Sequence, residues 1–243
     1  MLSPRIVSAA CFVISALSIH AAPKLPGIGA AMEKMIAQQE IAGAVTVVVT
    51  KDQVVHLETH GQADLATKRS MSPETVFWIA SMTKPITGVA VLMLHDQGRL
   101  NVNDPVAKYI PEFADLKTPS GRPANLTITQ ILTHTSGLGE APESATLQAR
   151  NLADLVPVWL AAKMQSEPGT RWQYSQSGIN LAGRIVEVVS GQRFDVFLQK
   201  NLFEPLGMKD TTFYPTAAHK ARMATSYNKS RDSGELTPAT PRA

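Results

Sequence analysis

The segment Phe77–Pro85 most strongly constrains the fold, because it marks the point where a strand-like apolar run becomes an amphipathic helix. From Ile86 to Leu94 the apolar residues recur with helical spacing, and Gly98 is a typical helix end. Ser81 and Lys84, three residues apart, therefore lie on one face at the start of this helix. The spacing predicts that the lysine ammonium reaches the serine hydroxyl oxygen.

A serine and a lysine in this arrangement have a chemical use. Serine is a weak nucleophile until a base removes its proton, and a Ser–Lys pair is one recurring solution. The positive end of a helix also stabilises a developing alkoxide, and its backbone N–H groups can bind an oxyanion. On local context alone, a nucleophilic Ser81 and a chance Ser-x-x-Lys both remain open. A second copy, Ser226 to Lys229, lies in a polar segment without apolar periodicity, and we interpret it as chance.

Strand signals are confined to the first third of the chain. The β-branched run Ala44–Thr50 and the run Gln53–His60 flank a Lys-Asp turn and predict a β-hairpin. Residues 100–205 are mostly helical in pattern. The chain therefore predicts an α/β (α+β) fold, with a layered α/β lobe and a mostly helical lobe.

Two sets of histidines raise alternative functions. His56 and His60 suggest a metal site, but strand alternation and the absence of further ligands predict exposed strand histidines and no metal. His134 could serve as the base for Ser136, yet neighbours in a turn rarely have the required geometry. We predict instead a turn held by side-chain hydrogen bonds there. Just before it, Thr127 to Gln130 fits a helix capping box.

The composition is that of an ordinary globular protein, with 243 residues, 44% hydrophobic and 18% charged. The formal charge is +3, and the basic residues are scattered without interleaved aromatics. We therefore expect no nucleic-acid partner.

Residues 1–22 have the pattern of a signal peptide, with Arg5 before the apolar run Ile6–Ile19 and small residues at Ala21 and Ala22. About 14 apolar residues are too few to span a bilayer, so we expect a periplasmic or secreted protein without a stable membrane anchor. Cleavage would also remove Cys11, the only cysteine.

Further stretches of the chain form a distinctive set with the Ser81 segment. They are Phe77–Pro85, Gly98–Pro111, Ile128–Leu138, Pro168–Gly183 and Leu202–Met208. Together they resemble the serine β-lactamase and penicillin-binding-protein superfamily, especially its class C β-lactamase-related branch of esterases and DD-peptidase relatives. The resemblance covers residues 30 to about 214. It implies a β-lactamase/transpeptidase-like fold, in which an antiparallel sheet is flanked by helices and joined to a mostly helical lobe.

The resemblance also implies roles for individual residues. Ser81 would be acylated with the help of Lys84, and Tyr174 would stand opposite the lysine. A phenol near a cationic lysine has a lowered pKa and can shuttle protons; without the resemblance, Tyr174 would be interpreted as a core or turn aromatic. In this superfamily the tyrosine begins a Tyr-x-Asn motif, whose third residue binds substrate. That third position is Gln176 here, and its extra methylene is expected to change the contacts to the lysine or the substrate. No metal or other cofactor is implied.

The last motif of this superfamily, on an edge strand, has no match before Ala243, and family members are longer. We therefore expect a hydrolase domain over residues 23–214 that is incomplete at its C-terminus, lacks its C-terminal strands and is impaired in activity. Residues 215–243 are expected to form a polar, poorly structured tail.

These features predict an exported serine hydrolase that acts through an acyl-Ser81 intermediate. Its substrate would be a small ester, an amide, a β-lactam or a peptidoglycan-like molecule. The alternative is a non-catalytic or vestigial binding protein built on the same fold.

Overall fold

A computed structural model describes residues 24–239. The predicted signal peptide, residues 1–22, lies outside the described residues. The described residues form two compact units, one containing residues 24–75 together with Ala224–Ala239, and the other containing Val76–Met223. Within residues 24–239, every helix is too short or too polar to cross a bilayer.

The first unit contains a small antiparallel sheet. Its elements are helix α1 (Ile28–Ala37) and strands β1 (Gly43–Val49), β2 (Val54–Asp64) and β3 (Arg69–Ser70). The order of the sheet is β1-β2-β3, and the register of β1 and β2 shifts at Val48/Val49. The predicted hairpin is present, because β-branched side chains suit a pleated strand, and its second strand extends four residues further than the pattern indicated.

The prediction that His56 and His60 are exposed strand histidines is wrong. His56 is fully buried, accepts the Leu25 N–H on Nδ1 at 3.0 Å, and has Nε2 2.9 Å from the Thr46 hydroxyl. His60 is partly buried and lies 2.8 Å from a Glu33 carboxylate oxygen of α1. The alternation of the strand failed as a guide because α1 and the segment before it cover this face of the sheet. Among the described residues, no group of three or more His, Cys, Asp or Glu side chains could hold a metal ion.

The segment after residue 214 differs from the expected poorly structured tail. It contains helix α8 (Ala217–Arg222), which opens with a capping box between Thr216 and His219, and a hairpin of β4 (Tyr227–Lys229) and β5 (Leu236–Pro238). The sequence pattern did not indicate this box, because the residue at its N3 position is His219 rather than the usual glutamate or glutamine.

The hairpin segment is bonded to the strands of the first unit. Thr225 donates its N–H to the Ala63 carbonyl oxygen at 2.8 Å, and the Tyr227 hydroxyl accepts the Leu65 N–H at 2.7 Å. Hydrogen bonds from the Thr225 hydroxyl, and then from Thr67, lower the pKa of Asp64 to about 2. A carboxylate that accepts several hydrogen bonds is held in its charged form.

The second unit is mostly helical. Its helices are α2 (Thr83–Asp96), α3 (Ile128–Leu132), α4 (Glu143–Gln148), α5 (Val156–Ala161), α6 (Gln176–Ser190) and α7 (Phe194–Leu198), together with α8. The capping box at the start of α3 is confirmed: the Thr127 hydroxyl accepts the Gln130 N–H, and the Gln130 side chain accepts the Thr127 N–H. The core is built from α2, α3 and α6, with Leu94, Ile131 and Leu181 fully buried.

Helix α6 approaches α3 closely through a glycine. A Cβ on Gly178 would lie 3.0 Å from the Ile131 carbonyl oxygen of α3. Gly88 in α2 offers a contrast, because a Cβ there would meet nothing within 4 Å. The absence of a side chain at position 178 therefore sets how near the first turn of α6 lies to α3.

Alanine at these two glycines should have opposite effects on the free energy of unfolding. Gly88→Ala should stabilise by about 0.5–1 kcal/mol, because alanine is the better helix former. Gly178→Ala has the same gain in propensity but should lose about 1–3 kcal/mol to overpacking against the α3 backbone. Urea denaturation of the two variants measures the difference. Equal stability of the two variants would contradict the close packing of α6 on α3.

Candidate active site

Ser81 lies in the 3-10 turn Ala80–Met82 that leads directly into α2. The residue before it, Ala80, has a φ of 45°, which is uncommon for a residue with a side chain. The Lys84 ammonium donates to the Ser81 hydroxyl oxygen at 3.1 Å, so the reach predicted from the spacing is present. In the second Ser-x-x-Lys, the Lys229 ammonium forms an ion pair with the Glu40 carboxylate at 2.5 Å.

The other two predicted residues come from the segment that enters α6. The Tyr174 hydroxyl donates to the Ser81 hydroxyl oxygen at 2.8 Å, and the Lys84 nitrogen lies 4.7 Å from the centre of the Tyr174 ring. Gln176 accepts a hydrogen bond from the same ammonium on Oε1 at 2.6 Å. The structure thus brings all four residues together. The extra methylene of Gln176 does not prevent contact with the lysine, and the Asn180 carboxamide oxygen fixes the orientation of the glutamine amide by accepting from it at 2.9 Å.

Electrostatics at this cluster favour loss of a proton from the phenol. Hydrogen bonding to Lys84, and then to Ser81, lowers the pKa of Tyr174 from its ordinary value near 10. These hydrogen bonds, and to a smaller extent the positive charge of Lys84, stabilise phenolate over phenol and outweigh the opposite effect of burial.

The first turn of α6 is held by a carboxylate from another part of the chain. Glu140 accepts the Gln176 N–H on one oxygen, and the Ser177 N–H and hydroxyl on the other, each at 3.0 Å. The Ser175 hydroxyl caps the same helix by accepting the Gly178 N–H at 3.0 Å. An acidic group at a helix N-terminus is favourable. The sequence did not indicate this role of Glu140, because no local pattern connects it with the start of a helix more than 30 residues away.

His134 and Ser136 do not form a nucleophile and base. Ser136 is buried, and its hydroxyl accepts the Leu138 N–H at 3.2 Å, as expected for a turn held by side-chain hydrogen bonds. His134 instead accepts the Ser175 N–H on Nδ1 at 3.1 Å. Its ring centroid lies 4.8 Å from that of Tyr174, with the planes tilted by 35°.

A large open cavity adjoins the serine. Ser81, Lys84 and Gln176 line it, and its volume is about 1180 Å³. Its walls also include the apolar side chains of Ile179 and Phe213. Charged side chains also line it, among them Arg150, Arg184 and Glu187. The cleft is therefore mixed in polarity, and it has room for a small molecule beside Ser81.

Comparison with known proteins places these features in a family. The Beta-lactamase family model matches residues 28–243. Esterase EstB from Burkholderia gladioli is 30% identical over 236 residues, which cover 91% of this chain and 59% of EstB. Protein flp from Staphylococcus aureus strain MW2 is 31% identical over 213 residues, covering 86% of this chain and 41% of flp. The chain thus spans about half the length of these curated relatives.

Solved structures agree with the sequence matches. EstCE1, a hydrolase with promiscuous acyltransferase activity, superposes with a TM-score of 0.77 and 25% identity, over 87% of this chain and 57% of EstCE1. The octameric penicillin-binding protein homologue from Pyrococcus abyssi has a TM-score of 0.68 and 24% identity, over 86% of this chain and 49% of the homologue. The second match bears on the fold alone, which is β-lactamase/transpeptidase-like, as the resemblance implied. From the family match and these relatives, we conclude that the chain belongs to the beta-lactamase family, within the serine β-lactamase and penicillin-binding-protein superfamily.

Proposed function

We propose that this chain is a serine hydrolase in which Ser81 attacks the carbonyl carbon of an ester or related acyl compound. One observation carries the proposal: the Ser81 hydroxyl oxygen lies within hydrogen-bond distance of both Lys84 and Tyr174, at the wall of an open cavity. A nucleophile, a proton acceptor and a fixed positive charge thus converge where a substrate has room to bind.

The proposed acylation step moves one proton. Tyr174, as the phenolate favoured by Lys84, accepts the Ser81 hydroxyl proton while the serine oxygen forms a bond to the carbonyl carbon. The oxygen of the tetrahedral intermediate carries the negative charge, and the backbone N–H of Ser81, in the turn that precedes α2, would stabilise it. Collapse of the intermediate breaks the bond to the leaving group, which takes the proton from Tyr174, and an acyl-Ser81 ester remains.

Hydrolysis of the acyl-enzyme repeats these steps with water in place of serine. Tyr174 removes a proton from water as the hydroxide oxygen bonds to the acyl carbon. The Ser81 oxygen then leaves and regains that proton from Tyr174. Throughout, Lys84 stays an ammonium, and Gln176 holds it in place through the bond to its nitrogen.

We further propose that the substrate is an ester rather than a β-lactam or a peptide. Two similar proteins support this choice, since EstB is an esterase and EstCE1 is a hydrolase with promiscuous acyltransferase activity. Gln176 also supports it, because the motif of the β-lactamases has asparagine at this position.

A fluorescent phosphonate that reacts with activated serines should label Ser81. Peptide mass spectrometry of the purified chain identifies the labelled residue, and Ser81→Ala should abolish labelling. Ser226→Ala is the matched control, since it removes the other Ser-x-x-Lys serine, and it should label as the wild type does. Labelling that survives Ser81→Ala would refute the assignment of the nucleophile. A lack of any labelling would favour the non-catalytic binding protein.

Lys84 and Tyr174 should act as one unit. Lys84→Ala and Tyr174→Phe should each lower kcat by about 10²–10⁴, and the double variant should be little worse. In Lys84→Ala the pKa of Tyr174 should return toward its ordinary value, so the rise of activity with pH should move to higher pH. Lys163→Ala, an exposed lysine remote from Ser81 in sequence, is the control and should leave the pH–rate profile unchanged. Strictly additive losses would show that the two residues act independently.

The chain should prefer a nitrophenyl ester of a short acyl group to a chromogenic cephalosporin, by about tenfold or more in kcat/KM. Gln176→Asn should reduce this preference, because it restores the shorter side chain and withdraws the amide from Lys84. Steady-state rates with both substrates give the ratio for each variant. A higher kcat/KM for the cephalosporin in the wild type would contradict the ester proposal.

A further inference from the structure

We propose that His134 is a positioning residue for Tyr174 and that it works only as a neutral imidazole with its proton on Nε2. This inference rests on the proposed function, because it concerns the phenol that we assign to proton transfer. The contacts between His134 and the segment around Tyr174, however, do not depend on whether the chain is active.

His134 bonds to the backbone on both sides of the tyrosine. Its carbonyl oxygen accepts the Gln173 N–H at 2.8 Å, and its Nδ1 accepts the Ser175 N–H at 3.1 Å. Between these two bonds its ring packs on the Tyr174 ring, with centroids 4.8 Å apart. Because Tyr174 is 48% exposed, these contacts supply much of what fixes its position.

The backbone of His134 is adapted to this double contact. Its φ is 61°, in the left-handed region that few residues with a side chain adopt. In this conformation the carbonyl oxygen and the ring of a single residue bond to residues 173 and 175 at once. Such strain persists where the surrounding contacts determine the conformation.

The bond to Ser175 determines the protonation state. A backbone N–H can only donate, so Nδ1 must be unprotonated and the proton of the neutral ring lies on Nε2. Protonation of Nδ1 would set two N–H groups against each other. It would release Ser175, which is the residue that caps α6 and that directly follows Tyr174.

The surroundings of His134 also disfavour a positive charge on its ring. The charged or titratable groups that face it are Lys84 of α2, Glu140 of the adjoining loop and Tyr174. Burial first, and then the charge of Lys84, lower the pKa of His134 below its ordinary value of 6.5, although Glu140 acts in the opposite direction. The ring is therefore neutral at neutral pH and takes a proton only in more acidic solution, where the anchor of Tyr174 is lost.

NMR of the imidazole nitrogens in the wild-type chain tests the tautomer directly. At pH 7.5 the ¹⁵N shifts of His134, assigned by their loss in His134→Asn, should show an unprotonated Nδ1 and a protonated Nε2. A proton on Nδ1 would overturn the proposal. This measurement uses no substrate, so it decides about His134 even if Ser81 fails to react with the phosphonate, a result that would reject only the proposed function.

Kinetics of His134→Asn test the positioning role. Asparagine tolerates the left-handed backbone but neither titrates nor packs a ring on Tyr174. With the nitrophenyl ester, kcat should fall by about 10- to 100-fold, as for a misplaced catalytic group, and KM should change little. In the wild type, log kcat should fall with a slope steeper than one just below the pKa of His134, because protonation of His134 releases Tyr174 in addition to the protonation of Tyr174 itself. The variant should keep a slope of one, due to Tyr174.

His95→Asn is the matched control, since His95 also uses a ring nitrogen in a backbone contact, 3.2 Å from the Leu100 carbonyl oxygen near the end of α2. This variant should have the kcat of the wild type and the same dependence of log kcat on pH. If kcat falls in His134→Asn but log kcat falls with pH in acid as steeply as in the wild type, the role of His134 is merely structural and the proposal is overturned. The proposal is also overturned if His134→Asn has the same kcat and pH profile as the wild type.

Discussion

The positive charge of Lys84 is the feature on which the candidate site depends. An ammonium in the first turn of a helix opposes the helix dipole, so its position must be compensated by other contacts. Here the compensation comes from the Ser81 oxygen, the face of the Tyr174 ring and the Gln176 amide oxygen. The same charge lowers the pKa of the phenol. One cation therefore both joins the members of the cluster and lowers the pKa of Tyr174, which is what the proposed proton transfer requires.

This cluster is built from the starts of two helices. Ser81 and Lys84 lie at the start of α2, and Gln176 begins α6. The positive ends of two helix dipoles repel each other when they come close, and Glu140 offsets this by placing a carboxylate on the N–H groups of α6. The close packing of α3 on Gly178 then fixes where this end of α6 lies. The chemistry proposed for Ser81 thus depends on backbone packing that contains no reactive group.

The sequence predicted what local periodicity can encode. Helical spacing gave the contact between Ser81 and Lys84, the Thr-x-x-Gln pattern gave the cap of α3, and the β-branched runs gave the hairpin. Tyr174 and Gln176 lie about 90 residues from Ser81, so no periodicity connects them, and they were assigned only through the family resemblance. Glu140 and the bonds of His134 went unpredicted, because they join loops to the start of a distant helix. The burial of His56 was missed because strand alternation says nothing about what another element places on top of it.

The first unit is discontinuous in the chain, with residues 24–75 and 224–239 on either side of the helical unit. On the ribosome, its strands emerge before the segment that carries Thr225 and Tyr227 has been made. About 150 residues separate the two parts, and at 5–20 residues per second their synthesis takes about 7–30 s. During that time the Leu65 N–H and the Asp64 carboxylate have only water in place of Tyr227 and Thr225. The helical unit, which is continuous, can fold in the same interval. The small sheet unit can therefore be completed only after the helical unit has been synthesised, although its strands precede that unit in the chain.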